Sequence, residues 1–316
     1  MKRSREQTAS YAPAKHLFND PVTPSELPVH KFEVLDPGDH AETPFVAYSH
    51  IEPLLFRLAL ALGKKKSELR IYDPFYCAGS VKVHLGNLGF PMVYNCNEDC
   101  YAAWAAGTVP DFDILVTNPP FSGDHIPKTL AFAAKCGKPW FILIPEFCSR
   151  KAYYRPTLAI KGSPDASSMG NVGVQGPSSP LISDLCGPIH YLGPQTAAYM
   201  FSAPNRGLSG APLPAKSGVA DGGVISGTAG PPRVGHLFAA TFQCLWFMAL
   251  GNSHGPEVLK WWQKKHSASS GCCIADSERA LPQLALDPGK KRRVESAARP
   301  WRKKLSRQRK AQKKEN

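Results

Sequence analysis

The sequence predicts an α/β domain built on a doubly wound, mostly parallel sheet. Two observations predict it. Short, continuous apolar runs rich in branched and aromatic residues alternate with segments of helical period, as strands covered on both faces require. The unusual polar residues also follow directly on the ends of those runs, where open α/β sheets place their ligands.

Residues 46–66 set Ile51, Leu54, Leu55, Leu58 and Leu62 at helical spacing, and Gly63 with three lysines closes the segment. LRIYDPF at 69–75 reads as a strand, followed by small residues and a helix over 80–90. PMVYN at 91–95 is a second strand, and EDCYAAWAA after it is helix-like. DFDILVT at 111–117 is a third strand, 122–137 a capped helix and KPWFILIPEF at 138–147 a buried strand. Two further strands are expected at 189–194 and 238–250. One domain over 46–264 accommodates them, after an irregular arm at 1–45. Gly-, Ser- and Pro-rich stretches at 161–180 and 203–233 are expected to be disordered insertions, 265–289 a linker and 290–316 a basic disordered tail.

The chain has 316 residues, 43% of them hydrophobic, yet no apolar run approaches the ~20 residues of a membrane helix. The best stretch, 237–250, is interrupted by Thr241 and Gln243. The opening residues, MKRSREQTAS, lack the apolar segment of a secretory signal. Nine cysteines, an odd number among apolar neighbours, read as reduced thiols of an intracellular protein. The net charge of +13 is concentrated: 290–316 hold 13 Lys/Arg against 2 Glu, while the other 289 residues hold 25 basic and 23 acidic groups. The body is nearly neutral and the tail seeks polyanions.

TNPPF at 117–121 follows the apolar run DILV. Adjacent prolines fix their own φ and push each predecessor toward extended backbone, so the loop is stiff. The Asn118 side-chain oxygen and the Pro119 carbonyl can accept from an amino group, while Phe121 stacks on the plane that carries it. An amine conjugated to a ring or carbonyl is a poor nucleophile, and two acceptors on its hydrogens would turn its lone pair toward an electrophile. The competing readings of an isolated NPPF are a proline-braced turn after a buried strand and a proline-rich ligand. A proline-rich ligand belongs in a polar arm, however, rather than between a buried strand and a helix.

IYDPFYCAGS at 71–80 is the second signal: a strand ending at Asp73, then Cys77, Ala78 and Gly79, then a helix whose N-terminus can approach a ligand. A third strand end, YNCNED at 94–99, carries polar and acidic groups suited to ribose hydroxyls. Cys272 and Cys273 lie in a polar stretch without the paired spacing of a zinc site, and no metal is expected. HIPK at 125–128 reads as a solvated helix start. Trp246, Trp261 and Trp262 read as core and domain edge.

Together these segments resemble class I S-adenosylmethionine-dependent methyltransferases with a Rossmann-like sheet, in the amino-methyltransferase branch that carries an N-P-P-[FYW] loop. Asp73, Pro74, Phe75 and Gly79 match the branch's first-strand motif, whereas Tyr76, Cys77 and Ala78 depart from it. The resemblance covers Ala47 to about Tyr154. It implies that Asp73, Phe75, Cys77 and Gly79 line the methionine end of the cofactor, and that Asn97, Glu98 or Asp99 meets the ribose. It further implies that Asp111 and Phe112 contact the adenine, and that Asn118, Pro119, Pro120 and Phe121 hold the target amine. The separation of Asp73 from Asn118 is short for such a fold, so a strand and helix between them are expected to be abbreviated.

The implied activity is methyl transfer from S-adenosyl-L-methionine to an amino nitrogen, with adenine in RNA or DNA favoured by the basic tail. Its two clusters, KKRR at 290–293 and 302–310, also suit nuclear import, so a nuclear or nucleolar location is expected. Two alternatives stay open: methylation of a protein side chain such as a glutamine amide, and an inactive RNA-binding scaffold of the same fold.

Overall fold

The computed structural model describes residues 41–158, 187–202, 237–239 and 242–284. The expected arm up to residue 40, the insertions at 161–180 and 203–233 and the tail at 290–316 lie outside the described residues.

Helix α1 (Phe45–Ala61) opens the fold and buries Ile51, Leu54, Leu55 and Leu58 on one stripe. It stops before Leu62, which is exposed, and Gly63 takes the left-handed φ of +68° that such a helix end needs. Strand β1 (Ile71–Tyr72) leads to α2 (Ser80–Asn87), β2 (Val93–Tyr94) to α3 (Cys100–Ala106), and β3 (Ile114–Thr117) to α4 (His125–Lys135). Strand β4 (Trp140–Pro145) is followed by a 3-10 turn (Glu146–Arg150) and the short α5 (Tyr154–Thr157). Then come β5 (Ile189–Pro194), β6 (Met200–Ser202), β7 (Leu237–Ala239), β8 (Cys244–Ala249), α6 (Gly255–Lys265) and β9 (Cys272–Ala275).

Seven strands form one sheet in the order β2-β1-β3-β4-β8-β5-β9, and β6 pairs with β7 separately. Ladders β1–β2, β1–β3 and β3–β4 are parallel, whereas β4–β8, β5–β8 and β5–β9 are antiparallel. The expected mostly parallel sheet is therefore half antiparallel. β8 is buried at every position, like the parallel strands β3 and β4. A strand covered on both faces reads as one apolar run whichever way it points, so the sequence carries no sign of its direction.

Two core layers flank the sheet. On one face Ile71, Val93, Val116, Phe141 and Trp246 pack with α1, with Val81 and Leu85 of α2 and with Trp262 of α6. On the other, Tyr72, Leu115, Trp140, Ile142 and Phe247 pack with Ile126, Leu130 and Ala133 of α4 and Tyr154 of α5. Adjacent strands β1 and β3 thus send their following helices to opposite faces. Such a reversal is where open α/β sheets usually place a ligand crevice, beyond the carboxyl ends of the strands. Helix α3 alone joins β2 to β3, in keeping with the expected abbreviation.

Two boundaries differ from expectation. The expected strand 238–250 divides into β7, in the separate pair, and β8, in the main sheet. The stretch read as linker after 264 contains β9, which closes the sheet edge beside β5 with Cys272 fully buried. Small Gly and Ser residues around CCIA hide a strand this short from any periodicity argument.

Candidate active site

The carboxyl ends of β1, β2 and β3 deliver Asp73, Asn95 and Asn118 to one side of the sheet. Asp73 continues the β1–β2 ladder through its N–H to the Tyr94 carbonyl at 2.9 Å. Its Oδ1 accepts the Thr117 hydroxyl at 2.6 Å and the Phe75 N–H at 3.2 Å. Asn95, 2% exposed, donates through Nδ2 to the carbonyls of Asp73 and Phe75 at 3.1 and 3.2 Å. The first loop is thus pinned from both neighbouring strands. Burial pushes the Asp73 carboxyl up to about 7, against the Thr117 and Phe75 hydrogen bonds that lower it, and the nearby Glu42 carboxylate raises it further.

Glu42 comes from the end of the segment read as an irregular arm. Its backbone pairs with Ser202 of β6, with Glu42 N–H to the Ser202 carbonyl at 2.8 Å. Its carboxylate accepts the Ala78 N–H at 2.5 Å and the Ser80 hydroxyl. Gly79 between them sits at φ +82°, a left-handed conformation that favours glycine. The start of α2, a natural seat for an anion, is therefore taken by the chain's own carboxylate. Tyr48 of α1 is buried beside Asp73 and Glu42, and burial holds its phenol well above the ordinary range.

In the second loop Asn118 is half-buried, yet its Oδ1 is buried and has no hydrogen-bond partner. A buried acceptor left unpaired costs about 1–3 kcal/mol, so this position demands a donor. Half-turns about χ2 exchange the amide oxygen and nitrogen within the same shape, so the acceptor can be turned to an incoming group. Pro119 is buried and Pro120 half-buried. Phe121 packs against both core layers and lies edge-on to Phe201 and Phe242, with centroids 6.4 and 5.7 Å away.

A third wall is aromatic. Phe75 meets Tyr101, Trp104 and His125 edge-on at centroid distances of 6.1, 6.2 and 6.3 Å. The Tyr101 hydroxyl and His125 Nδ1 are 2.5 Å apart, and the Lys128 ammonium lies 4.9 Å over the Tyr101 ring. The helix start expected to be solvated is thus tied to α3 through His125.

Of the expected site residues, Asp73, Phe75, Gly79 and Asn118 through Phe121 gather at the crevice, with Cys77 in the turn beside Gly79. Asn97 and Glu98 are half-buried on the loop after β2, and Glu98 accepts the Tyr94 hydroxyl at 3.0 Å. Asp99 is engaged as the N-cap of α3, accepting the N–H groups of Tyr101 and Ala102. Asp111 and Phe112 are not brought to this crevice. They precede β3, whose rise of ~3.3 Å per residue puts them roughly 20 Å from Asn118 at the amino end of the sheet. Asp111 is exposed there and pairs with Arg70 and Lys138, while Phe112 is core under the Lys138 ammonium. With no strand between α3 and β3, the chain never returns to the carboxyl edge before this segment, so the adenine contact implied by resemblance has no counterpart here.

Sequence reasoning missed Glu42, Asn95, Thr117, Tyr101 and His125. Asn95 and Thr117 had a visible signal, each ending a strand beside a named motif. Glu42 had none, since its neighbourhood lacks any period.

A scan of protein-family models finds no match to the chain, and no curated protein or solved structure matches it. Among the described residues no group of three or more His, Cys, Asp or Glu side chains could hold a metal ion, and no helix is long and apolar enough to cross a membrane.

Proposed function

We propose that the chain is an S-adenosylmethionine-dependent methyltransferase acting on an amino nitrogen, with adenine in RNA or DNA as its acceptor. The observation that carries this reading is the unpaired buried Oδ1 of Asn118, one residue from the Thr117 hydroxyl that is tied to Asp73. A donor-seeking amide on a diproline corner, beside an acidic first loop, is what recognition of an amine in front of a cationic cofactor needs.

The residues present fit that cofactor. Glu42 fills the anion seat at α2, and with Asp73 it offers two carboxylates, which disfavours a phosphate there and favours an ammonium and a sulfonium. Asp73 and Glu42 would hold its ammonium, Asn97 or Glu98 its ribose, and Phe75 would offer a ring to its base. When bound, S-adenosylmethionine supplies an electrophilic methyl group on sulfur. The protein's own part is positional: Asn118 Oδ1 and the Pro119 carbonyl accept the amine hydrogens, leaving the nitrogen lone pair directed at the methyl. Phe121 supports the plane of the acceptor.

The same acceptor recognises an amide nitrogen, which favours a protein side chain as the second reading. Incubation with methyl-labelled cofactor and cell extract separates the two. Label lost to nuclease supports the nucleic-acid acceptor, and label that survives nuclease but not protease contradicts it. The tail at 290–316 adds sequence-independent affinity for phosphates and the signal for a nuclear location.

A further inference from the structure

We propose that the folded body carries its own track for single-stranded nucleic acid, formed by Phe242, Phe147, Lys151 and Arg155 and starting at the diproline corner; it rests on the reading of the corner as the amine site. The rings follow one another from the site outward. Phe121 meets Phe242 at 5.7 Å, Phe242 meets Phe147 at 5.3 Å and 90°, and the Lys151 ammonium stands 5.2 Å over the Phe147 ring. Phe242 and Phe147 are each half-buried, anchored in opposite core layers where these meet at the carboxyl edge.

The placement follows from topology. β3 and β4 are parallel neighbours, so the turn after β4 rises beside the loop after β3. That turn, Glu146–Arg150, sets Phe147 and Lys151 four residues apart, and Arg155 follows on α5. Lys151 and Arg155 are exposed, and neither is in an ion pair among the described residues. Arg150 differs, since Glu146 at 3.6 Å and Glu278 at 3.7 Å already take part of its charge. Half-buried rings set edge-to-face and ending in exposed cations suit a strand that lays single bases against apolar ring surface while its phosphates run alongside. An acidic peptide would use the cations but not the spaced rings.

The test is photocrosslinking of the full chain to a single-stranded RNA 12-mer bearing 5-iodouridine next to a central adenine, with the linked residues mapped by mass spectrometry. Crosslinks are expected at Phe147 or Phe242 as well as in the tail. The double variant Lys151→Glu, Arg155→Glu, whose changes are at exposed positions, should lose the body crosslinks at least tenfold and keep those of the tail. Crosslinks confined to 290–316, or body crosslinks displaced equally well by oligoglutamate of the same length, overturn the proposal. Body crosslinks without any methyl transfer would uphold the track and count against the enzymatic reading alone.

Discussion

The Thr117 hydroxyl donates a 2.6 Å hydrogen bond to Oδ1 of Asp73, joining the last residue of β3 to the first residue beyond β1. Through this bond the loop holding Asn118 and the loop holding Gly79 keep a fixed spacing across the crevice. Both partners are buried, so the bond is not competed by water.

Asp73 makes the fold sensitive to pH. Its carboxyl moves from an ordinary value of 3.8 to about 7 in the fold, chiefly because burial penalises the charge. Between those values the folded chain holds a proton that the unfolded chain has released. The stability present below about pH 4 is therefore lost as pH rises, and is gone in full above about 7. Asp73→Asn should raise the melting temperature at pH 8, by up to about 4 kcal/mol in stability, and leave it unchanged at pH 4. The same change should weaken binding of the cationic cofactor. Thermal denaturation at the two pH values checks the first part, and an equal shift at both would refute it.

Asn118 should matter for turnover without supporting the fold, and its removal should leave stability equal or somewhat higher. Its Oδ1 forms no hydrogen bond, so Asn118→Ala removes no partner from the fold. Turnover should fall by a factor on the order of 10²–10³, the usual cost of one positioned transition-state group, with cofactor affinity within a few-fold. Parallel loss of melting temperature and cofactor affinity would make the loop structural instead.

Glu42 tests the charge preference of the crevice. Glu42→Gln removes one carboxylate from the start of α2 and frees part of the anion seat. Affinity for S-adenosylmethionine should drop about tenfold, as expected for a charge-assisted contact worth ~1.4 kcal/mol. Affinity for inorganic pyrophosphate should rise. Competition binding reads both, and a wild-type chain that already binds pyrophosphate as well as the cofactor contradicts the cationic preference.

Asp111 and Phe112 should separate stability from binding. Phe112→Ala empties a core position and should cost about 3–5 kcal/mol, whereas Asp111→Ala changes an exposed ion pair and should cost at most about 1 kcal/mol. Neither should change cofactor affinity beyond twofold once the protein is folded. A selective loss of affinity in either would return the adenine contact to this segment.

Much of the sheet was legible because its strands are buried on both faces: β5 falls at the expected 189–194, and β1 through β4 lie inside the expected runs. Direction was not legible, since β8 carries the same unbroken apolar pattern as its parallel neighbours. Edge strand β9 was lost because four residues between Gly271 and Asp276 carry too short a pattern. At the site, NPPF and DPF were visible as local motifs whose backbone chemistry is written in consecutive residues. Glu42 and the Tyr101–His125 contact were not, because tertiary packing alone brings residues 36 and 24 positions apart together.

Isothermal titration of the full chain with S-adenosylmethionine tests the central claim most directly. Saturable heat in the micromolar range at pH 8, weakened at pH 6 as Asp73 takes up its proton and weakened to a similar extent by Asp73→Asn, is the predicted result. Absence of heat at millimolar ligand at pH 8 would contradict it.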